Sequence, residues 1–189
     1  MKPKFTRFIV ALMTAILVIG SASSAMAQVQ RKDDEEKKTK ETVAMSQQVY
    51  EKLSEIQELI EAKDYATAEK AIVDLRGNKK LSPYERAQIW NITAYGYYLQ
   101  ERYAEAIDAY DQVLAQEGLP EALLQSTLKT QSQLYFTQED YESALQVIRK
   151  LMAIIPEPSA DVYMIEGQAL FQMARYDEAL VPIKTAVNM

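Results

Sequence analysis

Residues 87–120 read AQIWNITAYGYYLQERYAEAIDAYDQVLAQEGLP. Two aromatic patterns follow one another in this segment, W-x3-A-x2-Y from Trp90 to Tyr97 and Y-x2-A-x3-Y-x2-V from Tyr103 to Val113. Residues at these spacings share one face of an α-helix. The alanine within each pattern lets a neighbouring helix approach closely. The segment therefore predicts a helical hairpin with an aromatic stripe on each helix.

The pattern of the second helix occurs four times, each time as a charged residue, a tyrosine and, three positions after the tyrosine, an alanine. The four tyrosines are separated by 38, 38 and 35 residues and are Tyr65, Tyr103, Tyr141 and Tyr176. One hairpin cannot bury its own apolar faces, so repeated hairpins are expected to stack. We predict an all-α chain, an α-solenoid of about four hairpins over residues 43–189. Its repeats are expected at about 49–82, 83–120, 121–158 and 159–189, the last one incomplete.

Capping residues support this register. Ser82 and Glu85 have the spacing of a capping box, and Pro83 suits the first helical position between them. Gly77 is expected to end the helix before it. Within the hairpins, Ala106 and Ala144 are predicted to lie where the paired helices pass closest.

The hairpin resembles the tetratricopeptide repeat (TPR), whose pattern is W-x2-L-G-x2-Y, then A-x3-F, then proline. The match departs at three positions, where Thr93, Ala94 and Tyr110 stand for leucine, glycine and phenylalanine. All three substitutions keep roughly the size or the apolar character of the family residue. The resemblance covers about residues 49–189 and implies a helical scaffold that binds proteins or peptides.

The amino-terminal segment predicts a cleavable signal peptide over residues 1–27. Three basic residues precede an apolar run from Phe8 to Ile19, and a small-residue region ends in Ala25-Met26-Ala27. An uncleaved anchor is the competing interpretation, but this run is shorter than the roughly 20 residues that a spanning helix needs. We therefore expect export to the periplasm of a Gram-negative-type bacterium and no stable membrane insertion after cleavage. Residues 28–42 are expected to form a charged linker.

The composition excludes several kinds of chemistry. The chain has 27 acidic and 21 basic residues, no histidine and no cysteine. Removal of the three basic residues of the signal would leave 18 basic residues against 27 acidic ones, a charge of −9. Such an acidic chain disfavours nucleic acid as a partner. The sequence predicts no catalytic residue, cofactor or metal site, and protein or peptide partners instead.

The TPR resemblance implies that the first helices of the repeats line the inner, concave face. Rows of side chains that recur at equivalent positions of these helices then form a groove, with an aromatic strip beside an amide strip. The candidate groove residues are Asn91, Tyr95, Tyr98, Lys129, Gln133, Phe136, Met164, Gln168 and Phe171. Two interpretations of the aromatic row stay open at this point: it binds a partner, or it is scaffold.

The predicted function is a non-catalytic periplasmic adaptor. An exported TPR array resembles the TPR proteins that accompany envelope machines such as the TonB–ExbB–ExbD system and the Tol-linked cell-wall coordinators. One alternative is an accessory portion of a larger envelope enzyme truncated at Met189, because the chain stops inside the last predicted helix. Another is a self-assembling structural protein. The sequence does not fix the oligomeric state.

Overall fold

The computed structural model describes residues 45–189, so the predicted signal peptide and the charged linker lie outside the described residues. The described part is helical, which confirms the all-α prediction. Its eight helices are α1 (Gln47–Glu61), α2 (Tyr65–Arg76), α3 (Pro83–Leu99), α4 (Tyr103–Leu114), α5 (Glu121–Thr137), α6 (Tyr141–Ile154), α7 (Ala160–Gln172) and α8 (Tyr176–Val187).

The turns α1–α2, α3–α4, α5–α6 and α7–α8 share one backbone geometry. In the third of them, the N–H of Glu139 donates to the carbonyl of Phe136 and the N–H of Asp140 donates to that of Tyr135. These two bonds define a Schellman motif, which satisfies carbonyls at a helix end. The motif requires a left-handed residue, and that residue is non-glycine in all four turns: Lys63, Glu101, Glu139 and Ala174, with φ of 62°, 60°, 60° and 57°.

The helix ends follow the sequence signals. Ser82 caps α3, its hydroxyl accepts from the N–H of Glu85 at 3.2 Å, and Pro83 occupies the first helical position. The predicted capping box is therefore confirmed. Gly77 is the carboxyl cap of α2, also as predicted. Pro182 lies within α8, and the helix continues through it to Val187.

The core consists of clusters between successive helices, and small residues are buried within these clusters. Ala106 and Ala144, which were predicted to lie where the paired helices pass closest, are fully buried, and Ala68 and Ala179 at the equivalent positions of α2 and α8 are 1% exposed. Each helix packs against the next, within and across the predicted repeat boundaries. Packing is thus continuous along the described residues and is not confined to separate hairpins.

The first helices of the repeats also contact one another, α1 with α3 and α5 with α7. The main contacts of each second helix are instead with first helices. The side chains of the odd-numbered helices that are not covered by the even-numbered helices are here called the first-helix face. Within residues 45–189, no helix has the length and apolar content needed to span a bilayer.

Candidate functional site

The predicted groove residues all lie on α3, α5 and α7. None of the nine is buried in the core: seven are partly exposed, and Gln168 and Phe171 are exposed. Contact between α5 and α7 brings Lys129 of one helix to Asp161 of the other. The first-helix face is therefore a surface on which residues far apart in sequence are neighbours.

Each aromatic residue of the row rests on the tyrosine that begins the next helix. Tyr98 lies 6.0 Å from Tyr103 between ring centroids, at an interplanar angle of 48°. The other two pairs have edge-to-face geometry: Phe136 and Tyr141 are 5.0 Å apart at 68°, and Phe171 and Tyr176 are 5.2 Å apart at 61°. Such pairs add about 0.5–1.5 kcal/mol beyond burial of their area.

The repeated pairing follows from the turn geometry. The row residue stands five positions before the tyrosine in all three repeats, and its carbonyl accepts a turn hydrogen bond from the left-handed residue. Sequence reasoning found both the row and the tyrosines but not their contact. The sequence did contain a signal for this contact. The row residue and the tyrosine are five residues apart in every repeat, whereas the spacing between repeats varies.

The extent of burial differs along the aromatic row. It distinguishes members that are scaffold from members that are free to bind a partner. Tyr98 and Phe136 are partly buried against core clusters, so each is scaffold in part. Phe171 is 55% exposed and its partner Tyr176 is 56% exposed. A ring held edge-on by a neighbour loses little conformational freedom when a ligand covers it. Phe171 is thus the member of the row best placed to contact another molecule.

Lys129, the one cation predicted for the groove, is already paired. Its ammonium group donates to the carboxylate of Asp161 on α7, and the Lys129 side chain is only 22% exposed. Burial raises the pKa of the Asp161 carboxyl, but hydrogen bonds from Lys129 and Ser159 outweigh burial and hold this pKa below its usual value. The Asp161 carboxylate thus offsets the charge of Lys129, so this region offers a polar rather than a cationic surface. Sequence reasoning missed Asp161.

Tyrosine hydroxyls complete the polar part of the face. Burial raises the pKa of Tyr95 and of Tyr98, so both hydroxyls stay protonated at neutral pH. Together with the amides of Gln133 and Gln168 they offer neutral donors and acceptors. These are groups that suit the backbone of a peptide.

Residues 45–189 contain no group of three acidic side chains arranged to hold a metal ion. A cavity between α1, α2 and α3, lined by Ile60, Ala68 and Thr93 among others, measures about 10 Å³. A volume of this size holds about one water molecule, too little for an organic cofactor.

Comparison with known proteins agrees with the helical-repeat architecture. Residues 100–186 match the family model described as anaphase-promoting complex, cyclosome, subunit 3. A crystal structure of MamA superposes with a TM-score of 0.59 at 17% identity, covering 74% of this chain and 77% of that chain. MamA from Desulfovibrio magneticus RS-1 gives the same TM-score at 16% identity, with 77% of each chain covered. A sequence search of curated proteins gives no match.

Proposed function

Because the chain has the tetratricopeptide-repeat fold, we propose that it is an adaptor that holds protein or peptide partners on the first-helix face. The observation that carries this proposal is the row Tyr98, Phe136 and Phe171, in which each ring is braced by a tyrosine and the last ring is exposed. Scaffolds of this fold are generally non-catalytic. The adaptor is accordingly proposed to perform no reaction itself.

The chemistry of the face favours a peptide or helix with both apolar and polar groups. Exposed aromatic rings contribute most to the free energy of binding when apolar side chains of a partner cover them. The neighbouring amides and the neutral tyrosine hydroxyls can form hydrogen bonds with backbone groups of the partner. These bonds replace the hydrogen bonds to water that the partner loses on binding. With Lys129 neutralised by Asp161, recognition of a partner by a single terminal carboxylate is not expected here.

The proposed location is the periplasm, within an envelope complex of the TonB–ExbB–ExbD kind. Support comes from the sequence of residues 1–27, with its basic, apolar and small-residue regions. Intact-mass measurement on protein from the periplasmic fraction tests the location. A mass that begins at Gln28 supports export, and a mass that retains Met1 rejects the signal peptide.

Binding on the first-helix face can be tested by photo-crosslinking. A photoreactive phenylalanine analogue at Gln168 is expected to capture a defined partner in an envelope extract, and the substitution Phe171→Ala should abolish the adduct. Phe171 suits this test better than Phe136, since its exposure means that truncation removes few core contacts. The variant should keep the circular dichroism and melting temperature of the parent chain.

The matched control is Val181→Ala. Val181 is 69% exposed on α8, and its counterparts Asp108 and Gln146 in α4 and α6 are exposed polar residues. This control should leave the adduct unchanged. If Phe171→Ala stays folded and the adduct persists, the partner does not use the aromatic row and the proposal fails.

A further inference from the structure

Helices α1 and α3 approach each other closely at one place on the first-helix face. A Cβ on Gly96 of α3 would lie 3.2 Å from Cδ1 of Ile60 of α1, so the glycine permits this approach. The sequence neighbours of these two residues are Tyr95 and Glu61. Ile60 belongs to a buried cluster against which Tyr65 and Tyr95 also pack. The contact therefore brings together a carboxylate and two phenols from three different helices.

Glu61, Tyr65 and Tyr95 are here called the α1–α3 subsite, and their side chains are close enough to act on one another. Burial raises the pKa of Tyr95, and the nearby Glu61 carboxylate and Tyr65 phenol raise this pKa further. Gln57 donates from Nε2 to Oε1 of Glu61 at 2.9 Å. This hydrogen bond orients the carboxylate and leaves its second oxygen to accept from a ligand.

The charge and the rings of the subsite favour a cationic ligand. Within residues 45–189, no lysine or arginine forms a salt bridge with Glu61. Glu61 is exposed, and Tyr65 and Tyr95 are partly exposed. The face of an aromatic ring attracts a cation, and a carboxylate forms strong hydrogen bonds with a charged donor.

The chain contains an arginine that is bound in this way. The guanidinium carbon of Arg102 lies 4.3 Å from the centre of the Tyr97 ring. The nitrogens of the same group donate to the carboxylates of Glu69 and Glu105, both at 2.9 Å. A tyrosine ring with a carboxylate beside it therefore binds a guanidinium group in this fold.

The subsite is open because of the repeat geometry and not because of its place in the chain. At the positions equivalent to Glu61, helices α3, α5 and α7 carry Leu99, Thr137 and Gln172, and all three are exposed. Exposure at this position is thus shared by all four first helices. The chemistry differs, because Glu61 is the one carboxylate among the four residues.

We propose that the α1–α3 subsite binds an arginine side chain of the peptide that the first-helix face holds. This inference rests on the proposed function, since it assigns one residue of that peptide. The guanidinium group stacks on the Tyr95 ring and donates to Glu61, two contacts that suit its planar shape better than a lysine ammonium. The subsite thereby sets the register of the peptide, with its arginine at α1 and its apolar residues towards Phe136 and Phe171.

Peptide selection on the full chain supplies the probe. Random peptides displayed on phage are selected on the immobilised protein, and those that bind Phe171→Ala less well are kept, because they occupy the first-helix face. We expect these peptides to share an arginine. Replacing that arginine by citrulline, its neutral isostere, should weaken binding about tenfold in fluorescence anisotropy.

Substitutions in the chain locate the arginine. Glu61→Gln should weaken the arginine peptide by a similar factor and leave the citrulline peptide unaffected. The matched control is Glu51→Gln, because Glu51 is exposed on the same helix and accepts from Gln47 at 2.8 Å. Glu51 lies about 15 Å away along α1, so this control should have no effect. Tyr95→Phe should retain the affinity and Tyr95→Leu should lower it, with unchanged circular dichroism.

The outcomes separate this inference from the proposed function. If no selected peptide depends on Phe171, the proposed function fails and this inference fails with it. If the peptides depend on Phe171 but lack arginine, or bind Glu61→Gln unchanged, only this inference fails. Tighter peptide binding after replacement of Lys37, Lys38 and Lys40 by serine would show that the chain's own linker occupies the subsite, which also overturns the inference.

Discussion

Ser46 and Glu85 lie 39 residues apart in sequence and are joined by two hydrogen bonds to the same oxygen. Oε1 of Glu85 accepts from the backbone N–H of Ser46 at 3.0 Å and from its hydroxyl at 2.7 Å. The other oxygen, Oε2, accepts from the N–H and the hydroxyl of Ser82, at 2.8 and 2.9 Å. One carboxylate, only 6% exposed, thus binds the amino-terminal caps of both α1 and α3.

This arrangement predicts a stability that depends on pH. Burial raises the pKa of Glu85, but the hydrogen bonds from Ser46 and Ser82 outweigh burial and lower the pKa from 4.5 to about 2. A carboxyl with a lowered folded-state pKa stabilises the fold fully above its unfolded pKa. The contribution, on the order of 2–3 kcal/mol, is lost as the pH falls from about 4.5 towards 2.

The substitution Glu85→Gln tests this contribution. The amide offers one oxygen, so one serine would face an NH2 group instead of an acceptor, at a cost of about 1–3 kcal/mol. Urea titrations at pH 7 and pH 3 should show that Glu85→Gln is less stable than the parent at pH 7, with a smaller difference at pH 3. An equal difference at both pH values would contradict the low pKa.

Thr127→Val is expected to stabilise the chain. The side chain of Thr127 is 2% exposed, and its hydroxyl has no hydrogen-bond partner among the described residues. Valine removes the unsatisfied group with little change of shape, for a gain of about 1–2 kcal/mol. The equivalent positions of α3 and α7 already carry Ile89 and Val162. Thermal and urea unfolding measure the gain.

Thr93→Val is the matched control for that change. Thr93 is also buried, but its hydroxyl donates to the carbonyl of Ile89 at 2.7 Å. Removing a satisfied hydroxyl should give no gain. Equal stabilisation of both variants would show that side-chain hydrophobicity alone, and not the missing partner, explains the effect.

Gly167→Ala is expected to destabilise the last hairpin. A Cβ at this position would lie 2.4 Å from Cγ1 of Ile183 and 3.3 Å from the backbone nitrogen of Ile183. Overpacking of this kind costs about 1–3 kcal/mol and at such a distance outweighs the gain of about 1 kcal/mol in helix propensity. Combining Gly167→Ala with Ile183→Ala should remove the clash, so the glycine substitution should cost less in that background. A melting temperature unchanged by Gly167→Ala alone would disprove the close approach.

Glycine at a left-handed turn position should stabilise a hairpin. Glu139 has a φ of 60°, which strains a residue with a side chain but not glycine. Glu139→Gly is therefore expected to raise stability by about 0.5–1 kcal/mol. Gln138→Gly is the control, because Gln138 has a φ of −84° and glycine should cost stability there. Urea unfolding of the two variants should shift in opposite directions.

Local patterns in the sequence were sufficient to predict the helical class, the α3 capping box and the buried alanines. These features depend on residues a few positions apart, and the helix period relates such residues directly. The face that carries the candidate site could also be predicted from the sequence, since the register of the repeats places equivalent residues in rows. The division of the aromatic row into partly buried and exposed members could not be predicted from the sequence, because the burial of each ring depends on which helix packs against it.

The sequence by itself therefore determined the repeated helix–turn–helix unit, because each unit is specified by contacts between residues close in the chain. Only the tertiary structure decided that Glu85 caps two helices and that Asp161 neutralises Lys129. Each of these depends on how one helix lies against a residue of another, many positions away. The spacing of side chains within one helix carries no information about which residue of another helix they contact, because the packing of the repeats sets those contacts.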